Sequence, residues 1–286
     1  MSATLIDGKA VSQKIKSGIA ERVERLAARG IVPGLAVVLV GDDPASHTYV
    51  TSKKRTCEAL GMRSDLLQFP ASMSEEDLLE LIGNLNRDPE IHGILVQLPL
   101  PDHIDEFKVI VAIDPEKDVD GFHPVSVGNM SIGREAFLPC TPHGILKLLE
   151  EYEIDPAGKH AVVIGRSNIV GKPAGVLLLQ KDATVTYCHS KTRDLKNFTR
   201  QADILISAIG RAKFLGKDHL KDGAVVIDVG MNRDENGKLC GDVDFDDVLG
   251  TASYITPVPG GVGPMTIAML MENTLLSAER GSTETK

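Results

Sequence analysis

The sequence has no CxxC pair. Its four cysteines, Cys57, Cys140, Cys188 and Cys240, are dispersed along 286 residues. That spacing offers neither a zinc site nor a disulfide framework, so reduced thiols in a cytosolic protein are expected. Long apolar runs are also missing. Leu35–Val40 is typical of the longest, against the ~20 residues that a spanning helix needs. Nothing near Met1 reads as a secretory signal. There is no positive balance either. A net charge of −9 argues against a nucleic-acid backbone as partner, while small anionic ligands need only a local positive site. His123, His143 and His219 lack metal-ligand spacing, so packing or surface roles are expected and no metal. Disorder is expected only in the polar tail Gly281–Lys286.

What is present is α/β patterning in two halves, and the length fits two domains. Val11, Ile15, Ile19, Val23 and Leu26 recur at helical spacing, and Gly30 with Pro33 ends that helix. Leu35–Val40 is continuous enough for a buried parallel strand. A helix from Pro44 to Leu60, a strand Asp65–Phe69, a helix capped by Ser74 and ending near Arg87, a strand Gly93–Leu98 and a helix Ile104–Ile113 follow. Asp114–Gly133 has no period and reads as loop. After a helix Pro142–Tyr152, strands are expected at His160–Gly165, Thr184–Cys188, Asp203–Ala208 and Ala224–Val229. Tyr254–Pro264 reads as a Pro/Gly loop, and Met265–Ala278 as the last helix. The acidic run Asp242–Asp247 reads as a solvated loop and helix start. The order predicts mainly parallel sheets, and a ligand cleft between the two halves.

The strand His160–Gly165 runs into Gly165-Arg166-Ser167-Asn168-Ile169-Val170-Gly171-Lys172-Pro173. A glycine turn between strand and helix presents backbone N–H groups and a helix dipole to a pyrophosphate. Ser167 stands where GxGxxG has its middle glycine, so the turn alone is equally a plain βα connection. The next strand ends in His189-Ser190-Lys191-Thr192-Arg193, with no acid for ribose hydroxyls. Ser190 and Arg166 suit a 2′-phosphate, which favours NADP over NAD. Lys191 and Arg193 read as solvated.

Ser46, Tyr49 and Lys53 share one helix face. By itself Lys53 reads as a solvated lysine rather than a catalytic one. Gln97 is an amide at the end of an apolar strand, so it needs a specific partner. Asp118-Val119-Asp120-Gly121 clusters carboxylates without the rest of a calcium loop, and a surface turn is the alternative. Thr256–Thr266 combines six fixed or permissive residue positions (three Pro, three Gly) with a helix start, which suits close backbone approach to a ligand better than a linker.

These blocks, in order along nearly the whole chain, resemble the methylenetetrahydrofolate dehydrogenase/cyclohydrolases. They are Ser46-x-x-Tyr49-x-x-x-Lys53, Gly93–Pro101, Pro115–Gly121, Pro139–Pro142, Gly165–Pro173 and Pro257–Thr266. No stretch resembles a formate–tetrahydrofolate ligase, so the compact two-activity form is expected. The resemblance implies a substrate domain (1–138 plus 266–286) and a Rossmann-like NADP domain (139–265). It implies NADP-dependent oxidation of methylene-tetrahydrofolate, then hydrolysis of the methenyl product to 10-formyl-tetrahydrofolate. The folate nitrogens stabilise the cationic intermediate. By the same resemblance Lys53 is the acid–base group, Gln97 orients it, Tyr49 packs on the folate and Asp120 binds the pterin. Ser46, Leu98, Pro259, Gly260 and Gly261 join the substrate side. The cofactor set is Thr141, Gly165, Arg166, Ser167, Ile169, Val170, Gly171, Pro173, His189, Ser190, Ala208, Gly210, Gly230, Met231, Gly263 and Thr266. A homodimer is expected. One departure stands out: where the family carries Asn-x-Gly-Arg/Lys-Leu, this chain has Ser126-Val127-Gly128-Asn129-Met130, in the stretch read as loop. A shikimate dehydrogenase-like enzyme is a second reading, opposed by the Gly93–Pro101 and Pro259–Thr266 blocks. A non-catalytic NADP-binding module is a third, opposed by intact Lys53, Gln97 and Asp120.

Overall fold

A computed structural model describes residues 2–284. The chain forms two compact units, neither of them one continuous stretch. The first comprises residues up to Gln13 together with Pro139–Thr266; the second comprises Lys14–Leu138 and the chain from Ile267 onward. The chain starts with β1 (Thr4–Leu5) and α1 (Gly8–Ala27). That helix ends as the sequence suggests, with Gly30 at φ 79° and the Ile31 N–H returning to Leu26 O.

The second unit is built on a three-stranded parallel sheet. Its central strand is β2 (Gly34–Val40), every residue of which is buried. That position explains an apolar run without alternation, since both faces and both edges are covered. On one side lies β3 (Arg63–Phe69), reached through α2 (Pro44–Ala59). On the other lies β4 (Gly93–Val96), reached through α3 (Glu75–Arg87). Ser74 Oγ accepts the Asp77 N–H, and Glu75, Glu76 and Asp77 place negative charge at the positive end of α3. Leu78, Ile82 and Leu85 face inward and pack with Ala36, Val38, Ile91 and Ile94. Full burial of side chains such as Leu78 and Ile82 stabilises by roughly 1.5–3 kcal/mol each. Two short helices follow, α4 (Glu106–Ala112) and α5 (Pro124–Ser131).

The first unit continues with α6 (Cys140–Glu151), β5 (His160–Ile164), α7 (Gly171–Leu179), β6 (Thr184–Cys188), α8 (Leu195–Thr199) and β7 (Ile204–Ser207). Then come β8 (Val225–Asp228), the hairpin β9 (Asn232–Arg233) and β10 (Leu239–Cys240), α9 (Phe245–Val248) and β11 (Tyr254–Ile255). The last helix is α10 (Val262–Glu284). Six strands form one parallel sheet in the order β1-β11-β8-β7-β5-β6. The chain runs outward from β5 to β6 and returns to β7 on the other side, so β5 marks the reversal of strand order, where open α/β sheets bind ligands.

Several expectations need correction. Asp114–Gly133 is not all loop: Pro124 occupies the first position of α5 and His123 caps it, accepting the Val125 N–H. The departing segment Ser126–Met130 is therefore helical. Tyr254–Pro264 holds β11, and α10 starts at Val262, with Gly263 and Pro264 in its first turn. The strand before Gln97 stops at Val96, and α4 starts at Glu106. The acidic run is not solvated throughout, because Asp242 is completely buried. The tail is helical through Glu284; Thr285 and Lys286 lie outside the described residues. The four cysteines are buried free thiols. Among the described residues no helix is long and apolar enough to cross a membrane.

Candidate active site

In the second unit the site grows from the start of α2. Asp43 accepts the Ser46 N–H at 2.7 Å and Pro44 fixes the first turn, so the helix begins in one register. Ser46 and Lys53 are buried at 4% and 8% exposure, while Tyr49 remains 37% exposed. Partial burial raises the Tyr49 phenol above its ordinary range, so it stays protonated at neutral pH. Lys53 Nζ donates to Gln97 Oε1 at 2.9 Å. The Gln97 backbone N–H continues the β2–β4 ladder by donating to Val38 O at 2.8 Å. Its Nε2 donates to Leu98 O at 2.7 Å, which turns Oε1 toward the lysine. A neutral amide, not a carboxylate, thus holds the buried amine.

Asp120 sits on a loop tied down at almost every residue. Ile94 N–H donates to Lys117 O, and Lys117 Nζ closes the end of α3 on Leu85 O and Asp88 O. Asn273 Nδ2 donates to Val119 O and Ser277 Oγ to Glu116 O. Asp118 is buried and accepts from Phe122 N, His123 N and Ser126 Oγ at 3.2, 2.8 and 2.9 Å. Burial raises this carboxyl to about 6, against the pull of those three donors. Gly93 lets the loop lie against β4: a Cβ there would stand 2.8 Å from Val119 Cγ1. The structure thus joins Lys53, Gln97 and Leu98 directly, sets Ser46 and Tyr49 on the same helix, and places Asp120 on a fixed loop beside β4.

The cofactor candidates fall in the first unit, along the carboxyl ends of its strands. Register pairs Ile164 with Cys188 and with Ser207, and Ser207 with Asp228. Gly165–Ser167, His189–Ser190, Ala208–Gly210 and Gly230–Met231 therefore leave the sheet at one edge. Gly165 has φ 124°, and a Cβ there would meet Ala208 O at 2.3 Å. Gly171 is equally tight, since its Cβ would lie 2.4 Å from Gly165 O. Only glycine satisfies this turn. Ser167 Oγ accepts from Val170 N and Gly171 N, so the residue in the middle-glycine position ties together the turn that leads into α7, whose N-cap is Val170. Arg166, Ser167, Ile169 and Ser190 are exposed, while Pro173 is buried behind the turn. His189 N–H is held by Thr192 Oγ1.

The Pro/Gly block also lies in this unit. Gly260 has φ 114°, Gly261 N–H donates to Pro257 O at 2.7 Å, and Lys9 N–H donates to Gly260 O. Pro259, Gly260 and Gly261, expected on the substrate side, thus pack with the start of α1. Thr141 and Thr266 share a hydrogen bond at 2.8 Å, and Gly263 is exposed beside them in the chain. Sequence reasoning missed Asp118, Asp228, Asp242 and Asn273 as organisers. One signal was available: Asp228 is an acid inside the apolar run Val225-Val226-Ile227, the same anomaly that singled out Gln97.

Two family models match successive parts of the chain. The profile of the tetrahydrofolate dehydrogenase/cyclohydrolase catalytic domain matches residues 6–120, and that of its NAD(P)-binding domain matches residues 139–282. The chain belongs to the tetrahydrofolate dehydrogenase/cyclohydrolase family. It is 64% identical over 279 residues to the bifunctional protein FolD of Lysinibacillus sphaericus, covering 98% of each chain. A crystal structure of the bifunctional FolD methylenetetrahydrofolate dehydrogenase/cyclohydrolase from Campylobacter jejuni superimposes with TM-score 0.97 at 54% identity, over 98% of this chain and 100% of that one. The FolD structure from Trypanosoma brucei, complexed with NADP cofactor and inhibitor, gives TM-score 0.95 at 40% identity over 99% of both chains. Family membership removes the shikimate dehydrogenase-like alternative. This member is an enzyme with a catalytic domain and an NAD(P)-binding domain.

Proposed function

We propose that the chain catalyses two successive, reversible reactions. The first is NADP-dependent oxidation of 5,10-methylene-tetrahydrofolate to the methenyl cation. The second is hydrolysis of that cation to 10-formyl-tetrahydrofolate. The observation that carries this reading is the buried Lys53 amine held by the neutral Gln97 amide. A group so placed exchanges protons without a fixed negative charge beside it.

NADP, when bound, supplies the hydride acceptor. The residues fit it: a glycine turn whose crowded backbone leaves no room for side chains, an exposed Arg166, and an exposed Ser190 where an NAD enzyme would carry an acid. Arg166 and Ser190 would hold the 2′-phosphate by charge-assisted hydrogen bonds. Gly165, Ser167, Ile169, Val170 and Gly171 line the pyrophosphate turn. Thr141, Ala208, Gly210, Gly230, Met231, Gly263 and Thr266 serve the remainder of the cofactor. On the folate side Tyr49 offers a neutral ring face, Asp120 accepts N–H groups of the pterin, and Ser46 and Leu98 border them.

In hydrolysis, water adds to the amidinium carbon between N5 and N10. Lys53 Nζ takes the proton from that water. It returns the proton to N5 as the carbon–N5 bond breaks, while the remaining hydroxyl proton is released to solvent, leaving the formyl group on N10 and one proton freed overall. Gln97 keeps Nζ aimed during both transfers. Lys53→Met is expected to lower methenyl hydrolysis by ~10²–10⁴-fold, as befits loss of a positioned acid–base group. Full hydrolysis by that variant would remove Lys53 from the role. Initial rates with NADP⁺ and NAD⁺ test the cofactor choice. The same reading carries a cytosolic homodimer, checked by light scattering, where the mass of one chain would contradict it.

A further inference from the structure

Two aspartates at the carboxyl edge of the six-stranded sheet take no part in that chemistry, yet they are among the most deeply buried charges in the molecule. Asp228 ends β8 at 3% exposure, and Asp242, two residues after β10, has none. Each oxygen is fully engaged by neutral donors. Asp242 Oδ1 accepts from Arg211 N at 2.8 Å and Asn232 Nδ2 at 2.9 Å; Oδ2 accepts from Ile209 N at 2.8 Å and Ser207 Oγ at 3.0 Å. Asp228 accepts from Gly230 N, Asp242 N and Val243 N at 2.9, 3.0 and 2.9 Å. The surroundings leave no slack. A Cβ at Gly230 would lie 2.3 Å from Asp242 Oδ1, and one at Gly241 would lie 1.9 Å from Asp228 Oδ2.

Burying two carboxylates side by side is an expensive way to gain stability, and apolar residues of like volume commonly do as well. What these carboxylates do that apolar groups cannot is fix backbone. Ile209 and Arg211 bracket Gly210, which has φ 66°. Gly230 and Asn232 bracket Met231, which is 48% exposed. One side chain, Asp242, therefore locks both loops that leave the neighbouring strands β7 and β8, with Asp228 bracing it from below.

We infer that Asp242 is a positioning residue for the cofactor: it holds the 208–211 and 230–232 loops in the shape that receives NADP, with Asn232 and Ser207 as its side-chain ties. This rests on the proposed function in assigning those loops to NADP. Its effect should fall on cofactor binding alone, because methenyl hydrolysis needs no hydride acceptor.

The test uses the full chain with Asp242→Asn and the milder Asn232→Ala. Asn at 242 turns one acceptor into a donor facing N–H groups, and Ala at 232 removes a single tie. NADP⁺ affinity is measured by calorimetry, alongside KM for NADP⁺, kcat of oxidation and the rate of methenyl hydrolysis. Loss of a hydrogen bond to a charged group corresponds to roughly ten-fold or more in affinity. The expected result for Asn232→Ala is that loss in NADP⁺ affinity and KM, with hydrolysis unchanged; Asp242→Asn, if it folds, loses more. Unchanged NADP⁺ affinity in Asn232→Ala, or a parallel fall in hydrolysis, would overturn the inference. Calorimetry separates the two ideas. A wild-type chain that binds NADP⁺ but turns over no folate defeats the proposed function, while the variants still decide the role of Asp242.

Discussion

Replacing Gly93 by alanine should loosen the Asp120 loop and weaken folate binding more than NADP binding. A Cβ at position 93 would lie 2.8 and 2.9 Å from the two Val119 methyl carbons and 3.2 Å from Leu35 Cδ1. Leu35 is in the fully buried central strand and cannot retreat. Val119 must therefore move, and its carbonyl is the acceptor for Asn273 Nδ2. Overpacking of this kind costs ~1–3 kcal/mol. For a domain of this size that lowers Tm by roughly 2–4 °C per kcal/mol. Asp120 follows Val119 in the chain, so the KM for methylene-tetrahydrofolate should rise while the KM for NADP⁺ stays level. Gly18→Ala is the control of opposite sign. Gly18 is an exposed position within α1 with nothing near a new Cβ, so alanine should stabilise by roughly 0.5–1 kcal/mol. Urea unfolding and steady-state kinetics on both variants decide the matter. A Gly93→Ala protein with wild-type stability and folate KM would show that the close approach of Val119 to β4 does not position Asp120.

Three further outcomes are expected. Ser126→Ala removes a donor from the buried Asp118 carboxylate and should cost roughly 1.5–3 kcal/mol in urea unfolding; no loss would mean that the bond is not formed in solution. Burial holds the His143 imidazole down at about 4, so the folded chain refuses a proton that the unfolded chain accepts below about 6.5. Its stabilising contribution is present near neutrality and fades as pH falls through that window, so between pH 7 and pH 5 wild type should lose about 2 kcal/mol more than His143→Leu; parallel pH profiles would refute this. Arg166→Ala should raise the KM for NADP⁺ by roughly ten-fold or more and leave that for NAD⁺ nearly unchanged; equal effects on both would place Arg166 away from the 2′-phosphate.

The buried strands and amphipathic helices were legible because burial imposes a period. Leu35–Val40 could only be a covered strand, and Ser74 with three acids after it could only start a helix. Gln97 stood out as an amide in an apolar run, but nothing local named Lys53 as its partner, because that bond joins residues 44 apart. Asp242 was opaque for the same reason. Its neighbours Asp244, Asp246 and Asp247 suggest a solvated stretch, and the N–H groups that claim its carboxylate come from loops some thirty residues upstream. The α5 helix was hidden by Pro124, which looks like a breaker until His123 is seen to cap it. Two-residue strands such as β1 and β11 are too short to show any alternation. The Ser126–Met130 departure acquires a physical meaning in the fold, since Ser126 supplies one of the donors that hold Asp118.

The pairing of β1 with β11 sets a timetable for synthesis. Thr4 lies beside Tyr254 and Leu5 beside Ile255, so a strand joins a partner synthesised 250 residues later (Thr4 to Tyr254). At ~5–20 residues per second that wait is on the order of ten to fifty seconds. β8 emerges only shortly before β11, so its edge on the side that β11 will cover stays open for roughly one to five seconds at that rate. Through the full wait β1 stays without its partner strand, and yield in the cell should depend on chaperone capacity more than the stability of the finished enzyme would suggest.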